Sequence, residues 1–342
     1  MRHRHAPLLF AAALFAAAQA ASAHTPEHTP YGTKPLAEVE ALAQGGDAMA
    51  QAELGLDYGN GVGLPKSMAQ SLAWLSKSAA AGNPYGEGYL ATFYYYGDRG
   101  VPRDERHAHA LTEKAATQGL AEFEFICGYD YMWGEGVDQD QRRGVLWWQR
   151  SADAGNARAQ VRLGRFYLMG AVVPKDVHKA RLLFEKSAPQ GDDEGQDALS
   201  EVYYFGYDHV PVDYAQAFKW ATLSAQQENM PAAHMLAALY ASGRGTPQNW
   251  DEAFKWEFAA AYSGDRESQK DLAFFYRNGR GTPANKPLAL VWASIAADQG
   301  DAEAASLAQS LPATMTPDEM TTATKTRQLI AGTLAMVSQH TQ

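Results

Sequence analysis

A repeat of 36 or 37 residues governs this chain. Glycines that close helical segments fall at Gly46, Gly82, Gly119, Gly155, Gly191, Gly264 and Gly300, and Glu228 holds the same place between Gly191 and Gly264. The steps are 36, 37, 36, 36, 37, 36 and 36 residues. Twelve residues after each start comes Tyr58, Tyr94, Tyr131, Tyr167, Tyr203, Tyr240 or Tyr276, and three further on Gly61, Gly97, Gly134, Gly170, Gly206, Gly243 or Gly279. Three before each end stands an alanine, from Ala79 to Ala297, and eight before it Trp74, Leu111, Trp147, Leu183, Trp220, Trp256 or Trp292. A fifth column holds only small residues: Gly55, Ala91, Gly128, Gly164, Ser200, Ala237 and Ala273.

Each unit reads as two short helices. From Gly264, Leu272, Phe275 and Tyr276 share one helical stripe, and Gly279 can take the left-handed conformation that closes a helix. Gly281 and Pro283 keep the chain from resuming that helix. Ala289, Trp292, Ile295 and Ala296 form a second stripe that ends at Gly300. A lone helix of about 13 residues is marginal in water, so each hairpin must bury its stripe on its neighbours. The small column predicts a tight helix crossing. The tryptophan column predicts core, with Trp256→Ala costing about 3–5 kcal/mol.

The chain resembles the Sel-one-like repeat family, alpha/alpha solenoids related to tetratricopeptide repeats. The resemblance covers residues 46–300. It rests on Leu-small-x-x-Tyr-x-x-Gly, the Gly-x-Gly-x-Pro turn, and the Ala-x-x-Trp helix with its closing Ala and Gly. It implies an all-α, right-handed superhelical solenoid of about seven hairpins with capping helices, serving as a scaffold or adaptor for other proteins. Some secreted relatives pin each hairpin with a cysteine pair. Cys127 is the only cysteine here, so that branch's ligand binding does not carry over.

Ahead of the repeats, Arg2 and Arg4 precede an apolar run from Leu8 to Ala21, and Ala21-Ser22-Ala23 is a small-x-small cleavage site. Residues 1–23 therefore read as a signal peptide and the product as periplasmic or secreted. Residues 24–34 read as a flexible leader, 35–45 as an N-terminal capping helix, and 46–300 as the seven repeats. Residues 301–342 supply C-terminal capping helices, with a helix start at Thr316-Pro317-Asp318-Glu319 that runs to about Met336. No later stretch is long and apolar enough to span a membrane. One continuous register predicts one elongated body over residues 36–336.

Chemistry-bearing motifs are sparse. Cys127 occupies a column otherwise held by leucine and should be buried. His107 and His109, two apart on a helix, should point to different sides. Asp138 and Asp140 lack the further oxygen ligands of a calcium loop. No phosphate loop, serine elbow or zinc pattern is present, so no catalytic residue, cofactor or metal is assigned. A net charge of −10 and scattered bases argue against nucleic acid.

By analogy with tetratricopeptide solenoids, the first helices line a concave groove for a protein or peptide. Offsets 3, 6, 10 and 13 place Tyr85, Tyr95, Phe125, Tyr129, Met132, Arg158, Arg165 and Tyr204 there, followed by Asp197, Glu201 and His234. Aromatics, methionine and arginine are what interface centres enrich. The alternative is a cell-wall or polysaccharide-associated factor with weak hydrolase activity, resting on Trp133, Trp148 and Trp250 as sugar-stacking surfaces.

Overall fold

A computed structural model describes residues 29–97, 101–207 and 210–340, with side-chain burial described as far as residue 334. The expected signal peptide and most of the leader lie outside the described residues. All regular elements among the described residues are helical. They group into two compact units, one ending at Gln190 and one beginning at Gly191.

The first unit opens with α1 (Leu36–Gln44) and continues with four hairpins. These are α2 (Ala48–Asn60) with α3 (Met68–Ala80), α4 (Pro84–Tyr96) with α5 (Glu105–Thr117), α6 (Ala121–Trp133) with α7 (Gln141–Asp153), and α8 (Ala157–Met169) with α9 (Val177–Ser187). The second unit holds three hairpins. They are α10 (Asp193–Phe205) with α11 (Tyr214–Gln226), α12 (Met230–Ser242) with α13 (Trp250–Tyr262), and α14 (Arg266–Asn278) with α15 (Lys286–Asp298). α16 (Ala302–Ser310) and α17 (Pro317–His340) follow.

The turn inside each hairpin is built the same way seven times. The first helix ends at the column glycine, whose φ lies between 60° and 81°. The second helix begins at Ser67, Asp104, Asp140, Asp176, Asp213, Asn249 or Asn285, whose side chain accepts from a first-turn N–H. The backbone N–H of that same residue donates to the carbonyl of the column tyrosine at 2.8 to 2.9 Å. So Asp140 is a helix cap, and the tyrosine column marks the carbonyl that closes the turn.

Packing across the hairpin corrects one expectation. The small column faces the residue seven before each unit's end, which reads Leu75, Thr112, Trp148, Phe184, Ala221, Glu257 and Ala293. An added Cβ on Gly55 would lie 2.7 Å from Leu75, one on Gly128 2.4 Å from Trp148, and one on Gly164 2.4 Å from Phe184. Where the facing residue is small, as at Thr112, Ala221 and Ala293, the small column carries Ala91, Ser200 and Ala273. The neighbouring tryptophan column is less deeply set. Trp292 is fully buried, but Trp74, Trp220 and Trp256 are half-buried. Lys77 covers Trp74, and Lys219 covers Trp220. Trp148, 1% exposed, and Trp292, 0% exposed, therefore carry a larger cavity cost than Trp256.

Between repeats, a row of buried side-chain amides bonds back to the preceding helix. Gln51, Gln160 and Gln269 donate to the carbonyls of Ala43, Ala152 and Ala261 at 3.0 to 3.2 Å. Gln190, Gln227 and Gln299 then donate to Gln160, Gln196 and Gln269. Buried polar atoms are tolerated only when paired in this way, so the row fixes the stagger of successive hairpins. At the ends, Val39 and Ala43 of α1 are buried against Ala50 and Leu54, and Ala323 and Ile330 of α17 against the Trp292 cluster. Thr316 and Glu319 form a reciprocal capping box at the start of α17. That helix runs four residues past the expected Met336, its threonine hydroxyls bonding back to carbonyls four residues earlier.

Two stability predictions follow from this packing. Gly128→Ala should destabilise by about 1–3 kcal/mol through overpacking and Trp148→Ala by about 3–5 kcal/mol through cavity formation. The double variant should lose less than the two together, because the new methyl enters the vacated space; urea melts of all four proteins measure the coupling. Glu228 has φ 68°, a left-handed conformation at the position glycine holds elsewhere. Glu228→Gly should stabilise the protein by about 1 kcal/mol, read as a rise in its melting temperature.

Candidate functional site

In the first unit, α4, α5, α6 and α8 enclose a cleft of about 360 Å³. Tyr95, Tyr96, Phe125, Ile126 and Tyr129 give it apolar walls, and Glu105, Asp130, Glu135 and Arg158 bring charge to it. An apolar hollow with a few placed polar groups is the usual form of a binding site. α4 and α6 touch closely where Gly88 meets Phe123, which leaves the aromatics further along both helices to shape the opening. Tyr129 is 38% exposed, and Trp133, 49% exposed, lies 5.5 Å from its ring. Burial, helped by nearby Glu135, pushes the Tyr95 hydroxyl up to about 12, so it is a neutral donor.

Asp130 is buried, and its Oδ2 lies 2.8 Å from His109 Nδ1. With the carboxylate ionised it can only accept, and Nδ1 then carries the proton. Burial raises the Asp130 carboxyl, and the bond from His109 opposes that rise. His109 Nε2 is buried without a hydrogen-bond partner among the described residues. His107 is exposed and packs on Tyr94, so the two histidines do face different sides. Cys127 is fully buried, and burial pushes its thiol up, away from reactivity.

Of the residues expected in a groove, Tyr95, Phe125, Tyr129 and Arg158 meet in this cleft. Tyr85 is half-buried against the core around α4 and does not line it. Met132 is corrected: it is 0% exposed, and its terminal methyl fills the crossing beside Gly144 on α7. Arg165 already interacts within the protein. In the second unit, Asp197 is buried and likewise engaged. Glu201 accepts from the Tyr207 hydroxyl at 3.0 Å, and Tyr204 packs edge-on against Phe205 and Tyr214. Trp148 leaves the set of sugar-stacking surfaces, since its indole is buried and donates to the Phe125 carbonyl at 3.1 Å. Trp250 is half-buried, with Arg280 over its ring.

The expectation of scattered bases also needs correction. Ten lysines and arginines against three acids lie between residues 141 and 190. Arg143 and Arg150 of this stretch pair with Glu113 and Glu124 outside it, and Lys179 and Arg181 pair with Asp176 and Glu185 within it, so the stretch keeps a net positive charge.

A second constellation, in the second unit, has no sequence motif. His234 on α12, Glu257 on α13 and Asp271 on α14 place three ligand atoms within 4.8 Å of one another. His234 Nδ1 lies 2.8 Å from Glu257 Oε1 and 3.2 Å from Ser268 Oγ. Glu257 is 2% exposed, whereas His234 is half-buried. The hydrogen bond to Glu257 holds the His234 imidazolium well above its ordinary range, against the opposing effect of burial. Burial raises the carboxyls of Glu257 and Asp271. A serine-histidine-acid relay needs the hydroxyl and the carboxylate on opposite ring nitrogens, and here both approach Nδ1. The one readable signal was Glu257 itself, a carboxylate in the column that otherwise reads Leu75, Thr112, Trp148, Phe184, Ala221 and Ala293.

Comparison with known proteins agrees with this architecture. The Sel1 repeat matches seven times, at residues 48–83, 84–120, 121–156, 157–192, 193–229, 231–265 and 266–301. A Sel1 repeat protein from Oxalobacter formigenes is similar in structure, with 27% identity and a TM-score of 0.60 over 90% of this chain and 88% of that one. So is c5321, a protective antigen of uropathogenic Escherichia coli with an SLR fold, at 23% identity and a TM-score of 0.59 over 89% of this chain and 74% of that one. No curated protein matches the chain significantly. With seven consecutive matches filling most of its length and the hairpin geometry to go with them, the chain belongs to the Sel1 repeat family.

Proposed function

We propose that the protein is an exported, non-catalytic scaffold that holds a segment of another protein, and that the cleft between α4, α6 and α8 receives it. The observation that carries this reading is the grouping of Tyr95, Phe125, Tyr129 and Arg158 around one apolar hollow. Aromatic and arginine side chains in a partly desolvated pocket are the usual anchors of a protein interface. Arg158 together with Glu105, Asp130 and Glu135 in the lining suits a segment with an apolar anchor and charges of both signs. The repeat fold supports the scaffold role. The apolar run and small-x-small site within residues 1–23 support export to the periplasm or beyond. Among the described residues, no helix is long and apolar enough to cross a membrane. The sugar-binding alternative is weakened by the burial of Trp148.

A photo-crosslinking amino acid placed at Tyr129 should capture a discrete partner in the native envelope, whereas one at exposed Leu329 on α17 should not. The paired change Tyr129→Ala and Arg158→Glu should weaken binding of the captured partner by at least about tenfold, since hot-spot truncations cost roughly 2 kcal/mol or more. Unchanged binding would remove the cleft from the reading. Intact-mass measurement of the exported protein should show a chain starting at His24; a retained segment of residues 1–23 would end the export proposal.

A further inference from the structure

We infer that His234, Glu257 and Asp271 form a binding site for a divalent transition-metal cation that ties α12, α13 and α14 together. This site lies in the second unit and does not depend on the cleft.

The argument starts from position. Glu257 stands where six other repeats place Leu75, Thr112, Trp148, Phe184, Ala221 and Ala293, against the small column of the partner helix. It is 2% exposed. A carboxylate at such a place carries a desolvation cost that an apolar residue would avoid. Ala237, its partner in the small column, does not shrink to glycine to make room for the longer side chain, as happens opposite Leu75, Trp148 and Phe184. The crossing between α12 and α13 is thus modified around an acid that packing alone does not call for.

The surroundings supply the rest of a ligand set. One imidazole nitrogen and two carboxylate oxygens from three different helices converge within 4.8 Å of one another. In a tetrahedral site with bonds of about 2.0–2.2 Å, ligand atoms stand roughly 3.3–3.6 Å apart. His234 Nδ1 and Glu257 Oε1 are 2.8 Å apart, so they open by about 0.5–0.8 Å to reach that spacing. The ion takes the place of the proton that bridges these two atoms, and that proton is released to solvent. With a neutral imidazole, the two carboxylates carry a charge of about −2, which a divalent cation balances. Ser268 Oγ lies beside the pair and can orient Glu257 from outside the ligand set, as outer-shell hydroxyls do.

Ligand chemistry selects the class of ion. Calcium takes six to eight oxygens as a rule, and three donors including an imidazole do not meet that need. A mixed imidazole and carboxylate set suits zinc and its first-row neighbours. Three protein ligands leave a fourth position for water or a side chain from a partner, and His234, half-buried, lies near solvent.

The test uses the full chain stripped with a chelator, with Zn²⁺ as the probe. Calorimetric titration of the wild type should show one saturable site in the second unit, with proton release, and Zn²⁺ should raise the melting temperature. Asp271→Asn removes one ligand while sparing the hydrogen bond between His234 and Glu257. It should weaken Zn²⁺ binding at this site by more than about tenfold while leaving the metal-free melting temperature close to wild type. His234→Gln should lose binding in the same way, and serves if Asp271→Asn fails to fold. The histidines of the N-terminal leader are common to all these proteins, so any binding they provide cancels in the comparison. Absence of Zn²⁺ binding in the wild type, or binding unaltered in both variants, would overturn the site.

Discussion

The hairpin crossing is the constraint on which the rest depends. Two helices can approach to about 8–10 Å only if the side chains between them share a fixed volume. This chain meets that condition by exchange. Glycine at 55, 128 and 164 faces Leu75, Trp148 and Phe184, and alanine or serine at 91, 200 and 273 faces Thr112, Ala221 and Ala293. Interiors are close-packed, so the pairing keeps one hairpin thickness while the individual residues vary widely. Equal thickness in turn lets each N-cap residue find the column tyrosine's carbonyl at the same distance in all seven turns. The amide row then fixes how one hairpin sits on the next.

Against such a regular frame, small departures make the features that bear on function. α4 and α6 meet closely at Gly88 and Phe123, and beyond that contact Tyr95, Phe125 and Tyr129 border a hollow that none of the described residues fills. Arg158 of the next first helix adds a cation at its rim. Under it lies the His109–Asp130 pair, in which burial works against ionisation of the acid and the histidine works for it. Of the pair, Asp130 reaches the lining of the hollow, beside its aromatic walls. A binding surface of this kind needs no change to the backbone, only a change of side chain at positions the crossing does not use.

Much of this was legible in the sequence, and the remainder was not for definite reasons. The glycine column at 61 to 279 is visible because its residue takes the left-handed conformation that closes each first helix, and the tyrosine column at 58 to 276 by its recurrence three residues earlier. The tight crossing was visible as a run of small residues. Its partner column was not, because Trp147 and Trp148 are adjacent and a shift of one residue turns a side chain by about 100° around the helix. The same ambiguity sent Met132 to the wrong face: at offset 13 it packs beside Gly144, whereas Tyr95 at the same offset lines the cleft. The amide row was hidden by substitution, since Glu87, Glu124 and Ala233 interrupt the glutamines. The cluster of His234, Glu257 and Asp271 has no local spacing to read, as it draws on three helices.

A buried carboxylate has particular consequences in a chain of this kind. Each repeat touches only its neighbours, so stability is close to a sum of terms from hairpins and the junctions between them. A polar group in a globular core weakens the whole, but one in a repeat array weakens the place where it sits. Glu257 and Asp271 set that place at α12, α13 and α14, where the partner of Glu257 in the crossing is Ala237 rather than glycine. Six other hairpins solve the same crossing with side chains that carry no charge, so the fold itself does not require an acid there. Whatever neutralises Glu257, whether the His234 proton or a cation, therefore governs how firmly the last hairpins are joined. The acid makes one junction conditional in an array whose other crossings carry no charged residue at this position.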